Sequence, residues 1–240
     1  MSLRRRRLKW WRGGEYSNQT YKVFENLIGL KIVLKNKLIS SKKMKGLDNF
    51  EANNFYHIVN HAVGNENLFR TSDNYRYFLE RYSHHIPSAL ETFAYCLMPN
   101  HFHLLVRVRS IEELSQDPKF KGDVHKYVMQ KISNLLNGYA KAYNIRFDRK
   151  GALFIDYTKR FWVDSDAYFT AAINYIHQNP VNHGFVNNLG EWSYSSYHSL
   201  ISEKSTKLKR EEVISWFGDK EKFVDFHKQN QAPLSDELEF

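Results

Sequence analysis

The sequence predicts an α+β fold: a ferredoxin-like (RRM-like) antiparallel sheet with helices on one face, plus N- and C-terminal extensions. Three observations carry this reading. Short β-rich apolar runs alternate with stretches of helical periodicity. Turn residues punctuate them at Gly64-Asn65 and Pro99-Asn100. From residue 54 onward the pieces read β–α–β–β–α–β, followed by a further helix.

"FYHIVNHAV" (55–63) is the first strand. Ser72 or Asp73 caps a helix running to about His85, with Tyr75, Phe78, Leu79 and Tyr82 on one face. "TFAYCLM" (92–98) and "HFHLLVRV" (101–108) are two strands joined at Pro99-Asn100. Val124 to Tyr143 is a long helix with Val128, Ile132, Leu135, Leu136 and Tyr139 at helical spacing. A fourth strand covers roughly 157–163. Ser165 or Asp166 starts another helix, expected to stop near Asn179 because Pro180 follows. Residues 1–50 read as a basic extension, 51–200 as the main domain and 201–240 as a helical extension. In the last, Val213, Trp216, Phe217, Phe223 and Phe226 suggest a docked helical pair.

Composition narrows the function. Of 240 residues, 35 are Lys or Arg and 26 Asp or Glu, a net charge of +9, and aromatics reach 15%. Cations that neutralise phosphate and rings that stack on unpaired bases suit a nucleic-acid partner. No apolar run approaches the ~18 residues of a membrane span. The opening "MSLRRRRLKWWRGG" has the arginines of a leader without an apolar segment behind them. The single cysteine, Cys96, sits in an apolar strand. These features predict a cytoplasmic protein with Cys96 as a core thiol.

"MPNHFHLL" (98–105) carries the chemistry. Side chains alternate along a strand, so His101, His103, Leu105 and Arg107 share one face while Phe102, Leu104, Val106 and Val108 share the other. The second set is apolar and makes the core, which leaves the histidines on the open face, about 7 Å apart along the strand. Two imidazoles at that spacing can chelate a divalent cation, but a third ligand is needed. In "YFTAAINYIHQNPVNHG" (168–184), Phe169, Ala172, Ile173 and Ile176 form an apolar stripe, with Tyr175 on its flank and Asn179 one turn above it. Each stretch alone has a plainer reading, as surface histidines and a half-buried tyrosine.

Together and in this order, the two stretches resemble the single-tyrosine HUH transposases, named for their histidine–hydrophobic–histidine motif. The chain looks most like the REP-associated tyrosine transposases. "FYHIVNHAVGNENLF" (55–69), "YCLMPNHFHLLVRV" (95–108), "GALFIDYTKRFWVDSDAY" (151–168), "YIHQNPVNHGFV" (175–186) and "WSYSSYHS" (192–199) carry the resemblance over about 55–200. It implies a DNA transposition and recombination enzyme that cleaves and rejoins single-stranded DNA at hairpin-forming repeats through a 5′-phosphotyrosine. Tyr175 matches the nucleophile, and His101 and His103 match ligands of Mg²⁺ or Mn²⁺. Asn179 stands where insertion-sequence relatives often place a glutamine as third ligand. Gln178 and His57 are alternative ligands, and Tyr168 an alternative nucleophile.

Arg107, Arg146, Arg149, Lys150, Lys159 and Arg160 are candidate DNA contacts, and Tyr194 and Tyr197 candidate stacking residues. A monomer is favoured over a dimer. Two other classes compete: a non-catalytic hairpin DNA- or RNA-binding module on the same fold, and a phosphodiesterase that uses water as nucleophile.

Overall fold

The computed structural model describes residues 46–230. Strands Phe55–His61 (β1), Leu90–Leu97 (β2), His101–Val108 (β3) and Lys159–Val163 (β4) form one antiparallel sheet in the order β2-β3-β1-β4. The helices are Ser72–His85 (α1), Ile111–Leu114 (α2), Val124–Arg146 (α3), Asp166–Asn182 (α4), Tyr197–Ile201 (α5), Arg210–Phe217 (α6) and Lys220–Gln229 (α7). The predicted order holds. No helix among the described residues is long and apolar enough to cross a membrane.

The caps explain several boundaries. Thr71, rather than Ser72 or Asp73, precedes α1, where the Asn74 side chain accepts hydrogen bonds from the Arg70 and Thr71 backbone N–H groups at 3.0 and 3.2 Å. Asp123 accepts from the Lys126 N–H at 2.9 Å to open α3, and Ser165 accepts from Tyr168 to open α4. Each such cap satisfies a donor that the first helical turn leaves unpaired.

One sheet face is the expected core. Ile58, Phe102, Leu104 and Val106 pack against Phe78 of α1 and Tyr139 of α3. The other face corrects the expectation of an open surface beside the histidines. Phe55, Phe93 and Leu105 pack against Phe169, Ala172, Ile173 and Ile176 of α4, and Phe217 and Phe223 of the C-terminal helices complete the same cluster. Leu105 and Phe93 are apolar on this face, so it too needs cover.

Helix α4 brings a second correction, since it continues through Pro180 to Asn182. Proline inside a helix costs about 3 kcal/mol. Burial of Phe169, Ile173 and Ile176, at about 1.5–3 kcal/mol per large side chain, outweighs it. Below Pro180 the chain closes on itself, with His183 N–H donating to the Asn179 carbonyl at 3.0 Å and Phe185 N–H to the Pro180 carbonyl at 2.9 Å.

The last residues of the predicted N-terminal extension lie along β4. Leu47 bridges Arg160 in parallel, the Arg160 guanidinium donates to the Asp48 carbonyl at 2.6 Å, and Phe50 is buried in the core. The opening "MSLRRRRLKWWRGG" of that extension lies outside the described residues.

Candidate metal and tyrosine site

The register of β1 on β3 places His61 opposite His101 and Val59 opposite His103, with His57 two residues further along the same face. Antiparallel pairing therefore gathers four histidines onto one patch. Helix α4 crosses that patch and contributes Tyr175 and Asn179, which are separated by one helical turn and so point the same way. The Tyr175 ring stands edge-on to His103 at a centroid distance of 5.4 Å and to His57 at 6.0 Å. Asn179 Oδ1 lies 3.0 Å from His101 Nε2. Two sequence stretches 78 residues apart thus meet at atomic contact.

Each of the two motif imidazoles has a neighbour within hydrogen-bond distance of its Nδ1. His101 Nδ1 lies 2.8 Å from Asn100 Oδ1 and its Nε2 3.0 Å from Asn179 Oδ1; a neutral ring donates to only one of them, and donation to Asn100, the shorter contact, leaves Nε2 its lone pair. His103 Nδ1 lies 3.0 Å from His57 Nε2. With the proton on His103 Nδ1, its Nε2 also keeps a lone pair, and His57 acts as the acceptor that orients it. Metal-binding histidines are characteristically oriented by such a second hydrogen bond. Burial lowers His101 and His57 to about 3 and His103 well below its ordinary value, so all three are neutral. Neutral imidazole is the ligating form.

The contact between the two motifs has one polar feature of note. In the Nδ1-protonated form, His101 Nε2 and the Asn179 carbonyl oxygen are two acceptors 3.0 Å apart. Asn179 Nδ2 and His57 Nδ1 are buried without a hydrogen-bond partner. Turning over the Asn179 amide relieves the pair, and so does a divalent cation beside it. The donor set of His101 Nε2, His103 Nε2 and Asn179 Oδ1 suits such an ion. No group of three His, Cys, Asp or Glu among the described residues is arranged to hold a metal.

The other sequence-predicted residues are dispersed. Gln178 turns away, donating to the His227 carbonyl at 2.8 Å. The surroundings of Tyr168 push its phenol up, chiefly by desolvation. Arg107 shares the histidine face but is committed to Glu91 and Glu212, with contacts of 2.6 Å to each. Arg160 faces the opposite side of the sheet, 8% exposed and bonded to backbone carbonyls. Arg149 holds Glu66 at 3.2 Å and the Ala152 carbonyl at 2.7 Å. Arg146 meets Asp73 at 3.3 Å and is half-exposed, Lys150 is exposed, and Lys159 lies near His61. Of the six, Arg146 and Lys150 are the exposed ones. Tyr194 stacks on Tyr75 at 3.6 Å, and Tyr197 is buried.

Sequence reasoning missed two neighbours of His101. His61 stacks on it at 4.5 Å, and His183 approaches at 5.3 Å. His61 becomes visible only once β1 is paired with β3. His183 caps a helix that had been expected to stop near Asn179.

No protein-family model matches the chain. A stretch of 111 residues is 28% identical to a Haemophilus influenzae protein named "Putative REP-associated tyrosine transposase", covering 45% of this chain and 59% of that protein. A solved structure described as the "REP associates tyrosine transposase bound to a REP hairpin" shares the fold, with a TM-score of 0.50 at 14% identity over 69% of this chain and 87% of that one. Sequence and fold together show distant homology to the REP-associated tyrosine transposases.

Proposed function

We propose that the chain is a metal-dependent DNA strand transferase that cleaves and rejoins single-stranded DNA beside hairpin-forming repeats. The observation that carries this is the meeting of Tyr175 with His103, and of Asn179 with His101, in one buried site. The hairpin named in the description of the solved relative supports the choice of substrate.

The Tyr175 oxygen attacks the scissile phosphorus. A bond forms between that oxygen and phosphorus as the bond from phosphorus to the 3′ oxygen breaks. The phenol loses its proton and the departing 3′ oxygen takes one up. The resulting 5′-phosphotyrosine retains the energy of the ester, so a 3′-hydroxyl can reverse the step and rejoin a strand. His101, His103 and Asn179 would hold Mg²⁺ or Mn²⁺, which supplies a Lewis acid for the phosphate. Imidazole ligands favour Mn²⁺ of the two. His57 and Asn100 hold the two ligating rings in the required tautomer.

One observation favours a second reading, a hairpin-binding module without catalysis. Tyr175 is 5% exposed, and His101 and His103 are 4% and 1%. Single-stranded hairpin oligonucleotides from repeats flanking the gene, incubated with Mn²⁺ and run on a denaturing gel, separate the two. A covalent band that Tyr175→Phe and His101→Ala both lose supports the transferase. Binding with no covalent band in the wild type supports the module. Turnover that survives Tyr175→Phe assigns the attack to water.

A further inference from the structure

Helix α4 has a third face, used by neither the core nor the tyrosine site. Asn174, His177 and Gln178 form a polar stripe along it, and all three are buried. The stripe meets α7 and the residue after it. Asn174 Nδ2 donates to the Asn230 carbonyl at 2.7 Å, and Gln178 Nε2 to the His227 carbonyl at 2.8 Å. His177 Nδ1 lies 2.9 Å from His227 Nε2.

The proton positions along this contact are determined. His227 Nδ1 lies 2.8 Å from the Phe223 carbonyl, which only accepts, so Nδ1 carries the proton and Nε2 the lone pair. His177 Nδ1–H must then donate to His227 Nε2. That leaves His177 Nε2 as acceptor for the Ser196 hydroxyl at 2.7 Å, a shorter contact than that hydroxyl makes to the Tyr95 carbonyl at 3.2 Å, and Ser196 Oγ accepts the Tyr95 backbone N–H at 2.9 Å. Burial lowers His227 to about 4, so that ring is neutral, and the His177 ring has one accepting and one donating neighbour. Each neutral imidazole donates once and accepts once. A serine hydroxyl on an imidazole backed by a second imidazole has the layout of an activated nucleophile. Ser196 is 0% exposed, so no substrate reaches it.

We propose that this directed chain, donating from β2 through α4 to α7, sets the rotation of the tyrosine helix, and that His177 and His227 are positioning residues for the site on the helix's other side. The proposal rests on the reading of Tyr175 and Asn179 given above. His177 stands between those two residues in sequence and faces away from the histidine patch. Three register-specific polar contacts lock α4 against α7, and a rotation of α4 breaks all of them. The same rotation withdraws Asn179 from His101. The C-terminal helix is thereby a working part of the site.

The test combines ¹⁵N NMR of the imidazoles with Mn²⁺ binding and hairpin capture. In the wild type, both His177 and His227 should be Nδ1-protonated, the minority tautomer of free histidine. His227→Leu leaves His177 Nδ1–H without a partner; it should bind the hairpin oligonucleotide within twofold of wild type, yet lose about tenfold in Mn²⁺ affinity and in the rate of covalent capture. His227→Gln, whose side-chain oxygen can take the place of Nε2, should restore both. Should the leucine variant not fold, Ser196→Ala reports on the same chain and should also weaken Mn²⁺ binding. Either ring in the Nε2-protonated form, or Mn²⁺ affinity unchanged in the folded variants, overturns the proposal. A wild type that captures no DNA sinks the strand-transfer reading instead, while tautomers and Mn²⁺ affinity still judge the chain.

Discussion

His101 and Asn179 face each other at 3.0 Å through a ring nitrogen and an amide oxygen. Their contact is the point at which the strand motif and the helix motif become one site. Asn179→Ala removes the oxygen and leaves His101 in place. It should weaken Mn²⁺ binding by roughly 10–100-fold while leaving hairpin affinity unchanged. Isothermal titration with Mn²⁺ checks this, and equal affinity in the two proteins would remove Asn179 from the ligand set.

Arg107 is a structural cation. Its guanidinium joins Glu91 and Glu212, and it lies over the Phe55 and Phe93 rings at 5.4 and 5.1 Å. It ties β3 to β2 and to α6. Arg107→Ala should cost about 1–3 kcal/mol of folding stability and leave the salt dependence of hairpin binding unaltered. Urea denaturation measures the first and a salt titration the second. A flattened salt dependence with normal stability would return Arg107 to the DNA contacts.

Lys150 and Arg149 are neighbours with opposite expected behaviour. Lys150 is exposed, whereas Arg149 is taken up by Glu66 and loop carbonyls. Lys150→Ala should weaken hairpin binding regardless of sequence and lower the logarithmic salt slope by about 1. Arg149→Ala should instead loosen the loop after α3, read as faster amide exchange there. The reverse pattern would exchange their roles.

Acid should unfold the protein early. His57 at about 3 and His227 at about 4 resist protonation in the folded chain, while the unfolded chain takes up those protons near 6.5. Stability from these groups is complete above pH 6.5 and is lost as pH falls from there toward 4. Each contributes about 1.4 kcal/mol per pH unit within its window. Urea melts between pH 7.5 and 5 should show the slope, and His227→Gln should flatten it by one proton. An unchanged slope in that variant would mean His227 is already charged in the folded state.

The order of strands and helices was legible because alternation and helical spacing are local patterns. His101, Phe102 and His103 could be assigned to faces for the same reason. Partners distant in the chain were not legible. Nothing in "FYHIVNH" says that His61 will lie on His101, because that depends on which strand pairs with which. Arg107 read as a free cation because Glu212 is 105 residues away. Arg160 read as a surface charge because its inward turn depends on Leu47 and Asp48 crossing β4. The continuation of α4 past Pro180 was hidden by a local rule that burial on three sides overrides.

Tyr175, Asn179, His101 and His103 are supplied by one chain and meet within its own fold. For the chemistry proposed, this fixes the kinetic order. The rate per molecule is independent of concentration, where an assembly borrowing its tyrosine from a neighbour would slow on dilution. On that proposal a single copy carries every group the step uses, so the amount made, rather than any encounter between copies, would set how much DNA is processed.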